Sequence, residues 1–365
     1  MRIVITGGGT GGHLFPAMAV HDALRARRPE ADALFVGAAR GVEATILPRR
    51  GCAFRGLTAT PVSGKGWRDR LAAAWALPGT IRQAGRFLRE FRPQVVFGVG
   101  GYASVPTVLA AGLARIPRVI HEQNAVPGLA NRALGRIASA VAVSFADTAR
   151  CFPVGRAQVT GNPVRAEIRA GDARAARARL DLDPEAFTVF IFGGSQGARR
   201  LNQAMGEALP ALAAERAGLQ FVHATGAQDV TDVRRAYQAS GMSARVEPFF
   251  EEIALAYQAA DFAICRAGAG TLFELAAMGI PALLVPYPYA ANDHQRLNAE
   301  TAVQAGAAWM LLDQHCDGRR IVASVRAARE KPDQLAEMGR RARTLARPDA
   351  ADRIVDLLER FALVA

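Results

Sequence analysis

Lysine is almost missing from this chain. Of its 45 basic residues, set against 33 acidic ones, only Lys65 and Lys331 are lysines, and arginine supplies the rest of a formal charge of +12. Such an excess suits nucleic acid, an anionic membrane face or anionic small molecules, although solvated helix faces account for many of the charges. Aromatic residues make up only 7% of the chain, and no stretch interleaves them with arginines as a binder of single strands does. Nucleic acid is therefore not an expected partner. Cysteine is scarce as well. The four cysteines, at 52, 151, 265 and 316, lie far apart and form no CxxC pair. That argues against a structural zinc site or a disulfide framework and fits a reducing cytoplasm. The first residues enter an apolar run at once, so no signal peptide is expected. Two uncharged segments, Val95 to Ala114 and Leu275 to Asn292, approach bilayer-spanning length. Glycines and Pro106 interrupt the first, and Pro281, Pro286 and Pro288 the second, so each reads as a strand, a turn and another element. No transmembrane helix is expected.

What the chain does have is a βαβ rhythm. Its 365 residues, half of them hydrophobic and 21% charged, suffice for two globular domains. Ile3–Thr6, Ala33–Val36, Val95–Val99, Arg118–His121 and Ala140–Ser144 read as strands. Phe15–Arg28 and Thr80–Phe91 are among the helical segments between them. The pattern restarts at Phe187, with further strands at Gln220–Ala224, Arg245–Pro248, Phe262–Cys265 and Ala282–Pro286. The expected fold class is α/β, with two doubly wound, Rossmann-like parallel-sheet domains divided near "VTGNPVR" (159–165). The carboxyl ends of two such facing sheets would surround a central cleft.

The first strand runs into "TGGGTGGH", five glycines in six positions and then His13. Gly7-x-Gly9-x-x-Gly12 has the dinucleotide-fingerprint spacing, but no acid follows the second strand until Glu43, which counts against NAD. His13 and Leu14 stand where a Walker A loop needs its lysine and hydroxyl, which counts against ATP hydrolysis of that kind. Glycine loops opening onto helix N-termini remain anion sites. "GGSQG" (193–197) offers the same, with Ser195 adding a hydroxyl donor. His13 is either a helix-cap spacer or a general base, since the helix dipole there favours neutral imidazole. A third small-residue loop, "RAGAGT" (266–271), precedes Glu274, which reads as a ribose-hydroxyl acceptor or as a dipole-favoured acid. Asn292 to Gln295 form a polar cap after a proline-rich strand end. Together these suit a nucleotide-sugar.

Seven motifs then occur in order: "GGGTGGHLFPAMAV", "GVGGYASVP", "HEQNAVPGLANR", "GNPVR", "FGGSQGARRLN", "CRAGAGTLFE" and "PYPYAANDHQ". The set resembles the MurG family of inverting UDP-N-acetylglucosamine transferases, which act on lipid I to give lipid II in peptidoglycan synthesis. The resemblance implies a GT-B fold. Residues 1–163 would form the acceptor and membrane side, joined by a C-terminal helix at 349–365, and residues 164–348 would hold UDP-GlcNAc. It implies donor contacts at Thr10, Gly11 and Gly12, at Asn124 on the sugar, and at Arg165 and Ser195 near the diphosphate. Ala269, Gly270, Thr271, Leu272, Phe273 and Glu274 would surround uridine and ribose. Phe250 would meet the uracil edge by its backbone, and His294 and Gln295 would line the sugar and ribose. Two departures are Gly270, where the family commonly has a larger apolar residue, and His294-Gln295, where some members carry two glutamines. His13 would take the proton of the MurNAc C4 hydroxyl, and no cofactor or metal is implied.

A lipid acceptor further implies docking on the anionic cytoplasmic face of the plasma membrane as a peripheral protein. The basic, tryptophan-bearing segment with Trp67, Leu71, Trp75, Ile81, Arg82, Arg86 and Arg89 is the expected patch, as an alternative to an ordinary half-buried helix. Cell-wall synthesis and division proteins are candidate partners. The rival readings are a transferase of the same fold with another lipid acceptor, a UDP-GlcNAc 2-epimerase, and a non-enzymatic anion-binding protein.

Overall fold

The computed structural model describes residues 1–58, 67–194 and 197–363, with the backbone alone for 67–74. Two compact units divide the chain, residues 1–165 with 347–365, and residues 166–346. The first holds β1 (Arg2–Thr6), β2 (Asp32–Ala38), β3 (Ala53–Leu57), β4 (Val95–Gly98), β5 (Arg118–Glu122), β6 (Ala140–Val143) and β7 (Ala157–Val159). All pairings are parallel, in the order β3-β2-β1-β4-β5-β6-β7. The second unit holds β8 (Phe187–Phe192), β9 (Leu219–Ala224), β10 (Ser243–Glu247), β11 (Phe262–Cys265), β12 (Ala282–Leu284) and β13 (Ala308–Met310). Its sheet is also parallel, in the order β10-β9-β8-β11-β12-β13.

The central strands read as continuous apolar runs because helices cover both faces of a parallel sheet. "VVFG" of β4 and "AVAV" of β6 are buried throughout. Sequence reading does not anticipate β3, β7 or β13, and all three lie at sheet edges. Their "AFRGL", "AQV" and "AWM" are mostly half-exposed or exposed, so the apolar signal is diluted. In the first unit, strand order reverses between β1 and β4, where Thr6 lies opposite Gly98. In the second, the reversal falls between β8 and β11. Ligands of such sheets bind at the carboxyl ends of the strands that flank this point. In each unit, a glycine-containing loop follows both of those strands.

Five helices of the first unit matter below: α1 (Gly11–Arg27), α2 (Glu43–Arg49), α3 (Trp67–Phe91), α4 (Ser104–Leu113) and α5 (Leu129–Leu134). The last helix of the chain, Ala350–Ala362, returns to this unit. Its Ile354, Val355 and Leu358 are fully buried in one cluster with Ile3, Leu14, Met18 and Leu24. Arg27 at the end of α1 pairs with Asp352 and Asp356, and Arg28 with Glu359. Apolar burial is the larger contribution, because the ion pairs lie near solvent and are screened. Leu358→Ala is expected to destabilise the protein by about 2–5 kcal/mol in urea unfolding. Arg27→Ala should cost far less.

Candidate functional site

Two glycine turns meet at the β1/β4 switch point. Gly7, Gly8 and Gly9 all take positive φ, and α1 begins after Thr10, an extended N-cap residue that makes no side-chain cap bond. The turn after β4 closes on this loop. A Cβ at Gly101 would lie 2.6 Å from the Gly8 carbonyl oxygen and 3.2 Å from His13 Cδ2. At Gly100, a Cβ would lie 3.2 Å from His13 Cε1 and the same distance from Asn131 Nδ2. Half-buried His13 thus rests over the Gly100–Gly101 turn at the helix start. Beneath the loop, buried Glu43 accepts from the Gly9 N–H at 2.9 Å and from the Ala38 N–H at 2.8 Å. Burial, and then the Glu43 charge, hold the nearby Tyr102 phenol above its ordinary pKa.

Glu122, at the end of β5, organises the neighbouring loop. Its buried carboxylate accepts from the Asn124 N–H, Asn124 Nδ2, the Gly128 N–H and Asn131 Nδ2, at 2.9 to 3.1 Å. Thr148 Oγ1 donates to the Ala125 carbonyl at 2.7 Å and lies 3.2 Å from that of Asn124. Gln123 Nε2 donates to the Val99 carbonyl at 2.8 Å and to His121 Nδ1 at 3.2 Å. That contact leaves the His121 proton on Nε2, which faces the Gly161 carbonyl at 3.3 Å. Full burial lowers the His121 pKa to about 3, so the imidazole stays neutral. Asn124 and His13 are therefore brought to adjoining loops. Of the other expected contacts in this unit, Thr10 and Gly12 are exposed and Gly11 is partly buried. Arg165 is buried and stacks its guanidinium 4.2 Å from the centre of the Phe15 ring on α1.

In the second unit, the loop after β8 includes Ser195, which lies outside the described residues. Gly197 takes a positive φ, and a Cβ there would come 2.1 Å from the Thr225 carbonyl oxygen. Asn202 Nδ2 donates to that oxygen and to Asp229, and Asn202 Oδ1 lies 3.0 Å from His223 Nε2. His223 Nδ1 in turn lies 3.3 Å from the Tyr237 hydroxyl. Burial lowers the pKa of His223 to about 3 and raises that of Tyr237 well above its ordinary value.

Beyond β11, the helix Ala269–Met278 starts without an acid in its first turn or a side-chain cap. Ala269, Leu272 and Phe273 are buried, while Gly270, Thr271 and Glu274 are partly exposed. The expected ligand contacts of Leu272 and Phe273 are thereby restricted to backbone, because their side chains form core. Tyr257 donates to Glu274 Oε2 at 2.7 Å. Its ring meets Phe190 and Phe192 edge-on, and Phe190 also meets Phe250. The Phe250 side chain is thus core. Gln295 Oε1 accepts from the Ala267 and Tyr287 N–H groups, which fixes the orientation of its amide. His294 Nδ1 contacts the Ala291 carbonyl at 2.7 Å, directly after Asn292 and Asp293, both in left-handed conformation. Such residues are sparsely populated outside glycine and concentrate at functional sites.

Trp75 on α3 is 84% exposed. Arg82, Arg86 and Arg89 are exposed too, and intervals of seven, four and three residues put all four side chains on one helix face. Ile81 is a correction to the expected patch. It packs with Phe87 and buried Leu88 against Val4, Leu34 and Val96 of the sheet. The side chains of Trp67 and Leu71 lie outside the described residues. Among the described residues, no helix is long and apolar enough to cross a membrane. Nor, among them, does any group of three or more His, Cys, Asp or Glu residues suit a metal ion.

Family models match both units. Residues 3–143 match the glycosyltransferase family 28 N-terminal domain, and residues 188–354 match its C-terminal domain. A curated relative from Geobacter sp. (strain M21) is a UDP-N-acetylglucosamine–N-acetylmuramyl-(pentapeptide) pyrophosphoryl-undecaprenol N-acetylglucosamine transferase. It is 45% identical, with 97% of this chain and 95% of its own length covered. The Desulforudis audaxviator protein of the same name is 42% identical over 99% of both chains. The crystal structure of Acinetobacter baumannii MurG matches with a TM-score of 0.76 and 30% identity, over 98% of this chain and 99% of that one. A UDP-GlcNAc 2-epimerase from Neisseria meningitidis, bound to UDP-GlcNAc, shares the fold at 14% identity and a TM-score of 0.70, over 99% and 100% of the chains. Fold and motifs together define a glycosyltransferase of the GT-B class. Within that class, the chain belongs to the MurG family of glycosyltransferase family 28.

The buried histidines give a pH prediction. An unfolded histidine takes up a proton near its ordinary pKa of 6.5, whereas folded His121 and His223 do so only near 3. The unfolded state therefore binds more protons across this window, and stability falls as pH drops below 6.5. By pH 5.5 each histidine should remove about 1.4 kcal/mol. Urea titrations of the native protein and of His223→Gln would show it, the variant having the shallower acid slope.

Proposed function

We propose that this chain transfers N-acetylglucosamine from UDP-GlcNAc to the C4 hydroxyl of MurNAc in lipid I, forming lipid II with inversion at the anomeric carbon. The observation that carries the substrate class is kinship over 97% of the chain with transferases named for this reaction. The second unit holds the donor. Glu274, fixed by Tyr257, accepts from the ribose hydroxyls, and the Gln295 amide donates to the sugar. The backbone of the Ala269–Glu274 turn surrounds uridine. The diphosphate is stabilised by the open helix N-termini that follow β8 and β11, with Ser195 as a further donor.

The first unit supplies the base. His13 takes the C4 hydroxyl proton as that oxygen bonds to the anomeric carbon. The bond from that carbon to the diphosphate oxygen breaks, and UDP leaves with the electron pair. Asn124, locked by Glu122, faces the sugar. Thr10, Gly11 and Gly12 approach it by backbone. Arg165 serves near the diphosphate, with its guanidinium stacked on the Phe15 ring of α1.

A lipid-linked acceptor calls for membrane docking without a span. Trp75, Arg82, Arg86 and Arg89 form one exposed face that matches an anionic interface. In this reading the enzyme is peripheral on the cytoplasmic face of the plasma membrane, where cell-wall synthesis and division proteins are candidate partners.

UDP release from UDP-GlcNAc with and without a lipid I analogue, in EDTA, tests the reaction. Acceptor-dependent release is expected, and epimerised donor without acceptor would replace this reading with an isomerase. His13→Ala should lower kcat by about 10²–10⁴-fold while UDP affinity is retained. An equal loss of both would make His13 a binding residue. Reversing the charges of Arg82, Arg86 and Arg89 together should release the protein from phosphatidylglycerol liposomes in sedimentation, and unchanged binding would reject this face.

A further inference from the structure

Glu43 is the acid that comes too late in the sequence for a ribose-binding role, and the structure gives it a different place. Only 1% of it is exposed. Both carboxylate oxygens are committed to backbone donors, Oε2 to the Gly9 N–H and Oε1 to the Ala38 N–H. The surrounding backbone is fitted to it. A Cβ at Gly8 or at Gly41 would fall 2.3 Å from a carboxylate oxygen. A glycine loop at a helix N-terminus ordinarily offers its N–H groups to an external anion. Here an internal carboxylate takes the Gly9 N–H and ties the loop down from beneath.

We infer that Glu43 is a positioning residue for the transfer reaction. It acts as a built-in anion that fixes the Gly7–Gly12 loop, and with it His13. The inference rests on the reading of His13 as the base. Geometry of this kind governs turnover more than donor binding, because a small misplacement of a catalytic group costs on the order of 10²-fold.

Two variants test it. Glu43→Gln keeps the shape but turns an amide nitrogen toward one of two N–H donors. Gly41→Ala keeps the carboxylate and displaces it with a methyl. In each, with unchanged far-UV circular dichroism, amide exchange across residues 7–12 should quicken. The kcat with a lipid I analogue should fall about 10²-fold and the donor KM should stay within roughly twofold. In a His13→Ala background, Glu43→Gln should add little. Unchanged exchange with unchanged kcat overturns the inference, as does a donor KM that rises as far as kcat falls. Should His13→Ala retain full turnover, the base reading fails by itself. Faster exchange with lower kcat in the Glu43 variants would still establish that Glu43 positions the loop.

Discussion

The constraint on which the first unit depends is the close approach of two backbone turns at the ends of β1 and β4. With the Gly8 carbonyl 2.6 Å from where a Gly101 side chain would begin, neither turn tolerates a Cβ toward the other. The sheet enforces that approach. Parallel pairing sets Thr6 opposite Gly98, so both strands end at one level and their turns must cross. His13 follows the first turn directly, and its ring therefore lies on the second. A helix start, a strand end and an imidazole are fixed together by main-chain geometry, with little reliance on side-chain rotamers. Such a scaffold suits a group that must meet a hydroxyl at a defined distance.

Buried polar side chains extend the same logic away from the turns. Glu122 spends its acceptor capacity on four donors of one loop, and a desolvated carboxylate persists only when so satisfied. His121 and His223 are neutral for the complementary reason, since neither has a carboxylate to stabilise its cation where burial is complete. Each links a strand to a neighbouring segment by ring nitrogens that address a single tautomer. In both units the polar groups under the glycine loops thus hold the backbone, while Thr10 is exposed and Thr271 and Gln295 are partly exposed.

Much of this was legible in the chain. The inner strands announce themselves because burial on both faces demands unbroken apolar residues, whereas β3, β7 and β13 carry arginine, glutamine or short mixed runs at sheet edges. The glycine loops, His13, Glu274 and Gln295 stand out because their spacing is set by the turn or helix they occupy. Glu122, Tyr257 and Asn202 were not singled out. They act through partners as far as 27 residues away, and no local period records such a pairing. Glu122 lies inside the "HEQN" motif, so its presence was visible and its task was not. In the α3 segment, apolar and basic residues alternate in a way that suits a membrane face and a core face equally. Only the position of the sheet separates outward Arg82, Arg86 and Arg89 from inward Ile81 and Leu88.

Glu43 shows how similar loops come to serve different ends. Both glycine loops follow the first strand of a doubly wound sheet and open onto a helix, so dipole and N–H geometry favour an anion at each. Under the first loop the chain supplies that anion itself. In the second unit, Asn202 on the helix after the glycine loop donates instead to the Thr225 carbonyl and to the Asp229 carboxylate. The two units share one plan, yet the backbone of the first loop is held by a carboxylate of its own chain, Glu43.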